Sequence, residues 1–283
     1  MTSDAGKQGF FVTGTDTGVG KTLVTVALTR ALVARGLRTA VMKPVAAGIV
    51  STSEGPRNDD ALELSAASNI SAPYEDVNPW LLTTPASPHL AARHDGVSIS
   101  HDRILAAHRR LAAQADLVLI EGAGGWLAPI SSVATMADIA EKLALPVILV
   151  VGLRLGCLNH ALLTREAIRS SGLSFAGWIA NKLATEMPLA NANIETLSSR
   201  FGMAPLAVVP PERGAGKGFA GLAGTRQNFA NPANPFPAPL VYLPRTEMPA
   251  AIFRLHSAGP VWWTEVPVAS TATVTGMSAT VNS

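Results

Sequence analysis

The sequence predicts an α/β fold with a mainly parallel sheet flanked by helices. Short apolar runs alternate with longer helical patterns across residues 10–210. A glycine-rich turn joins the first apolar run directly to the first helical pattern. The apolar content, 48% of 283 residues, comes from Ala, Leu and Val, with aromatics only 5%, a composition suited to helices packed on a buried sheet.

The expected strands are Phe10–Thr13, Thr39–Met42, Leu117–Ile120, Pro146–Val151, Phe175–Ala180 and Leu206–Val209. None alternates polar and apolar residues clearly, as expected of strands covered on both faces. Helical spacing covers Lys21–Arg35, where Val24, Ala27, Leu28, Ala31 and Leu32 share a face and Gly36 supplies a stop. Further helices are expected at Asp59–Ala67, His101–Gln114, Met136–Leu143, His160–Ser170 and Leu189–Arg200. Strands and helices in this alternation build βαβ units around a parallel sheet. Beyond Gly214 the texture changes to Gly/Pro-rich and then Ser/Thr-rich sequence without periodicity. The expected organisation is therefore one domain at 1–213 and a partly disordered extension at 214–283, of which Val261–Trp263 could pack onto the body.

Composition excludes several classes. Net charge is +2 without a dense Lys/Arg run, which argues against nucleic-acid binding. The lone Cys157 rules out an internal disulfide and an all-cysteine metal site. The first 14 residues lack the apolar stretch of a signal peptide, and the longest apolar runs are strand-length, not membrane-length. The expected location is cytoplasmic.

The turn after the first strand reads Gly14-Thr15-Asp16-Thr17-Gly18-Val19-Gly20-Lys21-Thr22. Glycines let backbone N–H groups approach phosphates, and the following helix N-terminus adds free donors and a favourable dipole. Lys21 would place positive charge on the β- and γ-phosphates of ATP, and the Thr22 hydroxyl would join the shell of a Mg²⁺ ion. The spacing is one residue longer than the usual consensus, with five residues between Gly14 and Gly20, but the strand–loop–helix setting and Gly-Lys-Thr are intact. The expected architecture is thus of the P-loop NTPase type.

Three further residues could complete such a site. Glu121 ends an apolar strand and is followed by Gly122-Ala123-Gly124-Gly125, at the strand end where open parallel sheets bind ligands. It could coordinate Mg²⁺ or simply be solvated at a strand–loop junction. Asp60 opens a helix and reads equally as a ligand or as an ordinary cap or first-turn acid. Lys43 closes a buried strand and could hold an anionic reacting group beside Lys21, or snorkel outward.

Seven motifs occur in order: VTGTDTGVGKT (12–22), MKPVAAG (42–48), RNDDAL (57–62), ASPH (86–89), LIEGAGGW (119–126), VVGLRLGCLNHALLT (150–164) and GWIANK (177–182). Together they resemble the dethiobiotin synthetase family over roughly Phe10 to Pro211. The resemblance implies carboxylation of 7,8-diaminopelargonate by CO₂, phosphorylation of the carbamate by ATP and closure of a ureido ring. It implies that Lys43, Lys21 and Thr17 act on the reacting groups, and that Thr22, Asp60 and Glu121 surround Mg²⁺. Gly18 to Thr22, Gly122 to Gly124, Asn181, Lys182, and Pro210, Pro211 and Glu212 would bind nucleotide. Ala47, Gly124 and Asn159 would lie along the diamine, in a homodimer whose contact runs near Gly156–Asn159; Asn159 also reads as a helix N-cap.

Two positions depart from the family pattern. Gly18 stands where many relatives carry Glu, and Ala47 where a substrate-contacting Ser is common. Partitioning ATPases of the same superfamily carry a second lysine five residues before the P-loop lysine; here that position is Asp16.

Overall fold

The computed structural model describes residues 9–183 and 187–211. Glu212 and the 214–283 extension lie outside the described residues. In chain order the elements are β1 (Gly9–Gly14), α1 (Lys21–Val33), β2 (Thr39–Met42), β3 (Val45–Ala47), β4 (Val50–Thr52), β5 (Gly55–Arg57) and α2 (Asp59–Ala67). There follow α3 (Tyr74–Val77), β6 (Trp80–Leu82), α4 (Pro88–His94), α5 (His101–Ala112), β7 (Leu117–Glu121) and α6 (Met136–Leu143). The last are β8 (Val147–Leu153), α7 (Cys157–Ser170), β9 (Phe175–Lys182), α8 (Ala190–Phe201) and β10 (Ala207–Val209).

Six strands form one parallel sheet in the order β10-β9-β8-β1-β7-β2. Each of the six expected strands is present, and β1 and β8 are buried along their whole length. Successive side chains divide between two cores, as pleating requires. On β2, Ala40 and Met42 enter the main core with Phe11, Ile120 and Ile104, whereas Val41 enters a smaller cluster with Val26 of α1 and Leu64 of α2.

The connection after β1 runs through α1 to β2 on one side, and the connection after β7 runs through α6 to β8 on the other. The strand order therefore reverses about β1, the place where open parallel sheets bind ligands at the carboxyl ends of their strands. Pairing of Val12 with Glu121 and of Met42 with Ile120 puts Gly14, Lys43 and Glu121 at that one edge.

The sequence missed the shorter elements. A two-stranded parallel sheet (β3, β6) and an antiparallel hairpin (β4, β5) rise beside β2, with the short helices α3 and α4 around them. Runs of three to seven residues carry too little periodicity to announce themselves. Helix α1 ends at Val33, two residues before the expected Arg35, and α7 begins at Cys157 instead of His160. Among the described residues no helix is long and apolar enough to cross a membrane.

Candidate active site

The phosphate loop runs from Gly14 into α1, whose N-cap is Gly20 at φ 84°. That glycine is required twice over. Its backbone is left-handed, and a Cβ there would stand 2.2 Å from Asn181 Nδ2. Asn181, at the end of β9, is buried and donates that amide to Val19 O at 2.9 Å, so the sheet grips the loop directly. Gly18 is also left-handed at φ 73°, but a Cβ there would meet nothing within 4 Å. A glutamate at this position would find space and meet only backbone strain.

Lys21 is buried and donates from Nζ to Asp16 O at 2.9 Å. Burial first, then repulsion from Lys43, pushes its amine down to about 8, against attraction from Glu121, Asp60 and Asp16. Geometry brings the two lysines to one locus: Thr22, next to Lys21, and Lys43 both donate to Glu121 Oε1. Asp16 also accepts from Thr17 N–H at 2.7 Å and pairs with Arg154 from the β8–α7 turn, a partner too distant in sequence to anticipate.

Lys43 follows β2 directly, and its side chain is 5% exposed. It does not snorkel. Its Nζ donates to Asp60 Oδ2 at 2.9 Å and to Glu121 Oε1. Burial works to strip its proton, but the combined attraction of Glu121 and Asp60 outweighs it and holds the amine above the ordinary lysine value. Asp60 mirrors this. Burial would raise its carboxyl, yet Lys43, the Thr22 hydroxyl and Lys21 hold it below the usual carboxylate range.

Asp60 is not the cap of α2; Asn58 is, accepting from Ala61 N–H at 3.3 Å. Asp60 is thereby free in the first turn to face Lys43. Glu121, fully buried, is not a solvated junction residue either. Its Oε1 accepts from Thr22 Oγ1 at 3.0 Å, while Oε2 is buried with no partner among the described residues. A buried carboxylate oxygen without a partner is costly unless something binds it.

The Gly122–Gly125 turn after β7 is anchored by Trp126, buried edge-on against Phe11 with ring centroids 6.2 Å apart. Ala123 is half-buried. Gly124, at φ 66°, faces Thr17, whose Oγ1 would lie 3.7 Å from an added Cβ. Ala47 sits half-buried on β3, opposite Leu82.

Asn159 is exposed on α7 and does not cap it; that position belongs to Gly156 at φ 92°. Lys182 reaches Asn191 Oδ1 at 3.4 Å, Pro210 is exposed and Pro211 half-buried. Glu212 lies outside the described residues.

A strand–loop–helix phosphate cradle with two lysines and two carboxylates at one sheet edge defines a P-loop enzyme that uses a nucleoside triphosphate. A family model described as an AAA domain matches residues 8–217. ATP-dependent dethiobiotin synthetase BioD of Cellvibrio japonicus is 50% identical over 204 residues, covering 72% of this chain and 90% of that protein. The protein of the same name from Vibrio parahaemolyticus is 48% identical over 204 residues, covering 71% and 88%. Among solved structures, the cell division ATPase MinD of Pyrococcus furiosus superposes with a TM-score of 0.46 at 18% identity, over 73% of this chain and 84% of that one. The chain belongs to the ATP-dependent dethiobiotin synthetase family.

Proposed function

We propose that this protein makes dethiobiotin for biotin biosynthesis from 7,8-diaminopelargonate, CO₂ (drawn from bicarbonate) and ATP. One observation carries the reading: Lys43 is buried against Asp60 and Glu121, and Glu121 Oε1 also accepts from Thr22, the neighbour of Lys21 in the phosphate loop. Two cations at the end of a phosphate cradle suit a reaction in which one anion is phosphorylated by another.

One amine of the substrate takes up CO₂ as a carbamate. A carbamate oxygen then attacks the γ-phosphorus of ATP and ADP departs. The second amine attacks the resulting mixed anhydride at carbon, phosphate leaves, and the ureido ring closes. Phosphorylation is needed because the carbamate oxygen is otherwise a poor leaving group. The protein's task is to align the reactants and balance charge, Lys21 against the phosphates and Lys43 against carbamate and transferring phosphoryl group.

The residues fit a Mg²⁺ ion. Glu121 Oε2 is buried without a partner among the described residues, and the Thr22 hydroxyl and Asp60 supply further hard oxygens. No group of three or more His, Cys, Asp or Glu among the described residues could hold a metal by itself. Mg²⁺ suits a few protein oxygens completed by phosphates and water, and when bound it would offset phosphate charge. Thr17, Gly124, Ala47 and Asn159 are assigned to the diamine side. Gly18 to Thr22, Gly122 to Gly124, Asn181, Lys182 and Pro210 to Glu212 are assigned to the nucleotide.

Leu155 is fully exposed and Leu163 63% exposed on either side of Asn159, which supports a second copy of the chain covering this edge. A single cysteine and a biosynthetic family support a cytoplasmic location.

The test combines purified protein, diaminopelargonate, bicarbonate and Mg-ATP. Diamine-dependent ADP release with a ureido product is expected. ATP turnover indifferent to the diamine would defeat the proposal.

A further inference from the structure

We infer that Tyr74 and Asn78 are positioning residues for this reaction, linked into one hydrogen-bond chain that sets Lys43 against Asp60. The inference rests on the proposed roles of those two charged groups.

The chain starts at Lys43. Its N–H donates to Val77 O at 2.7 Å, and its carbonyl accepts from Asn78 Nδ2 at 2.7 Å. Both sides of the lysine's backbone are thus held by the segment at the end of α3. Asn78, 3% exposed, also donates from Nδ2 to Trp80 O at 3.3 Å. Two carbonyls on one side of the amide fix its orientation, because only the NH₂ group can serve both. Oδ1 must therefore face the other way, where it accepts from Tyr74 Oη at 3.2 Å. With its proton given to Asn78, the phenol accepts from Asn58 N–H at 2.8 Å. Asn58 caps α2, and Asp60 lies in the first turn of that helix.

Every donor and acceptor along this path has one possible direction. It runs from the backbone of Lys43 to the helix that carries Asp60. The covalent route between the same points passes through the β4–β5 hairpin, whose residues are half-buried or exposed. Such a hairpin holds a distance poorly, so beyond the packing of α2 on α1 and β2 it is the crosslink that sets the spacing of the pair. The ring of Tyr74 is held independently, beneath the Arg57 guanidinium at 4.4 Å from its centroid. Removing the hydroxyl therefore cuts the chain without removing the ring.

Tyr74→Phe should lower kcat about tenfold while KM and Kd for ATP stay within about twofold, as expected when a group that orients a reacting side chain is lost. The phosphate loop does not touch this network, so nucleotide binding should be spared. Asn78→Asp cuts the other end, since a carboxylate accepts from Tyr74 but cannot donate to Lys43 O. It should give the same split, and the double variant should be no slower than the slower single variant. Assays use the full chain with diaminopelargonate, bicarbonate and Mg-ATP, and melting temperatures are measured alongside.

Unchanged kcat in a folded Tyr74→Phe overturns the inference. So does a parallel loss of kcat, ATP binding and melting temperature, or failure of both variants to fold, which would make the network purely structural. If the unaltered protein shows no diamine-dependent turnover, the proposed function has failed instead, and the two failures are told apart.

Discussion

The two sides of the candidate site are held in different ways. The phosphate loop is made by consecutive residues, 14–22, between a buried strand and a helix, with long-range ties added by Asn181 to Val19 O, by Arg154 to Asp16 and by Thr22 to Glu121. The opposite side joins Lys43, Asp60 and Glu121 from three separate elements, and a chain through Asn58, Tyr74 and Asn78 ties two of them together. The first arrangement follows from local backbone preference. The second exists only once the sheet has formed.

The sharpest way to break this comparison is Lys43→Ala. If the lysine serves the reaction and the loop serves the nucleotide, kcat falls on the order of 10³-fold with ATP binding largely kept. The change also takes from buried Glu121 and half-buried Asp60 the ammonium that joins them, and losing one partner of a buried pair costs about 3–5 kcal/mol, an upper bound here because Asp60 is part-exposed and Lys21 remains nearby. Added Mg²⁺ should therefore raise the melting temperature of the variant more than that of the unaltered protein. Equal loss of turnover and ATP binding, followed by calorimetry, would place Lys43 in the nucleotide site instead.

Glu121→Gln probes the shared carboxylate. The amide retains an acceptor for Lys43 and Thr22 but removes the charge, and it puts polar hydrogens or a neutral oxygen where the unpartnered Oε2 now lies. The Mg²⁺ concentration for half-maximal rate should rise about tenfold or more, and kcat should fall. A titration curve identical to that of the unaltered protein would leave Oε2 without its proposed partner.

On the loop side, Gly20→Ala forces a left-handed alanine against Asn181 Nδ2. A strain of about 1–2 kcal/mol corresponds to roughly a tenfold weaker ATP affinity if it falls on the bound state. Gly18→Ala is its control, with the same backbone hand but open space around the new methyl, and should weaken binding less. Equal effects at both positions would mean that the Asn181 clamp contributes nothing to the loop.

What could be read from the sequence follows the same division. The six strands of the main sheet were legible because burial on both faces writes an unbroken apolar run, as in Val147–Leu153. Lys21 and Thr22 were legible because a phosphate cradle needs its residues in a row. Asp60 stayed ambiguous because a first-turn acid and a ligand look alike until Lys43 is seen opposite it. Asn159 read as a cap because asparagine favours that position, but Gly156 starts α7 three residues earlier. Tyr74 and Asn78 left no signal: a four-residue helix has no periodicity, and their partners lie up to 35 residues away. Long-range pairs such as Arg154 with Asp16 are invisible for the same reason.

The smallest expected effect separates the stability of the scaffold from the chemistry of the site. His108 lies on α5, which packs against β2 and β7, the strands that lead into Lys43 and Glu121. Its Nε2 is buried without a partner among the described residues, and burial, then Arg109, holds its pKa below the ordinary histidine value. Near pH 8 the ring is neutral in both folded and unfolded chains, and it does not affect folding. As pH falls through about 6.5 the unfolded chain takes up a proton that the folded protein resists, so stability drops until the depressed folded pKa is reached. A single proton limits the slope to about 1.4 kcal/mol per pH unit, and partial solvent exposure keeps it well under that. His108→Gln removes the proton and should flatten the acid side of the stability curve measured by urea unfolding, with little change near pH 8. Its kcat should match that of the unaltered protein wherever both are folded. A parallel change in kcat would mean that α5 transmits strain to Lys43 and Glu121, and that the scaffold and the site cannot be treated separately.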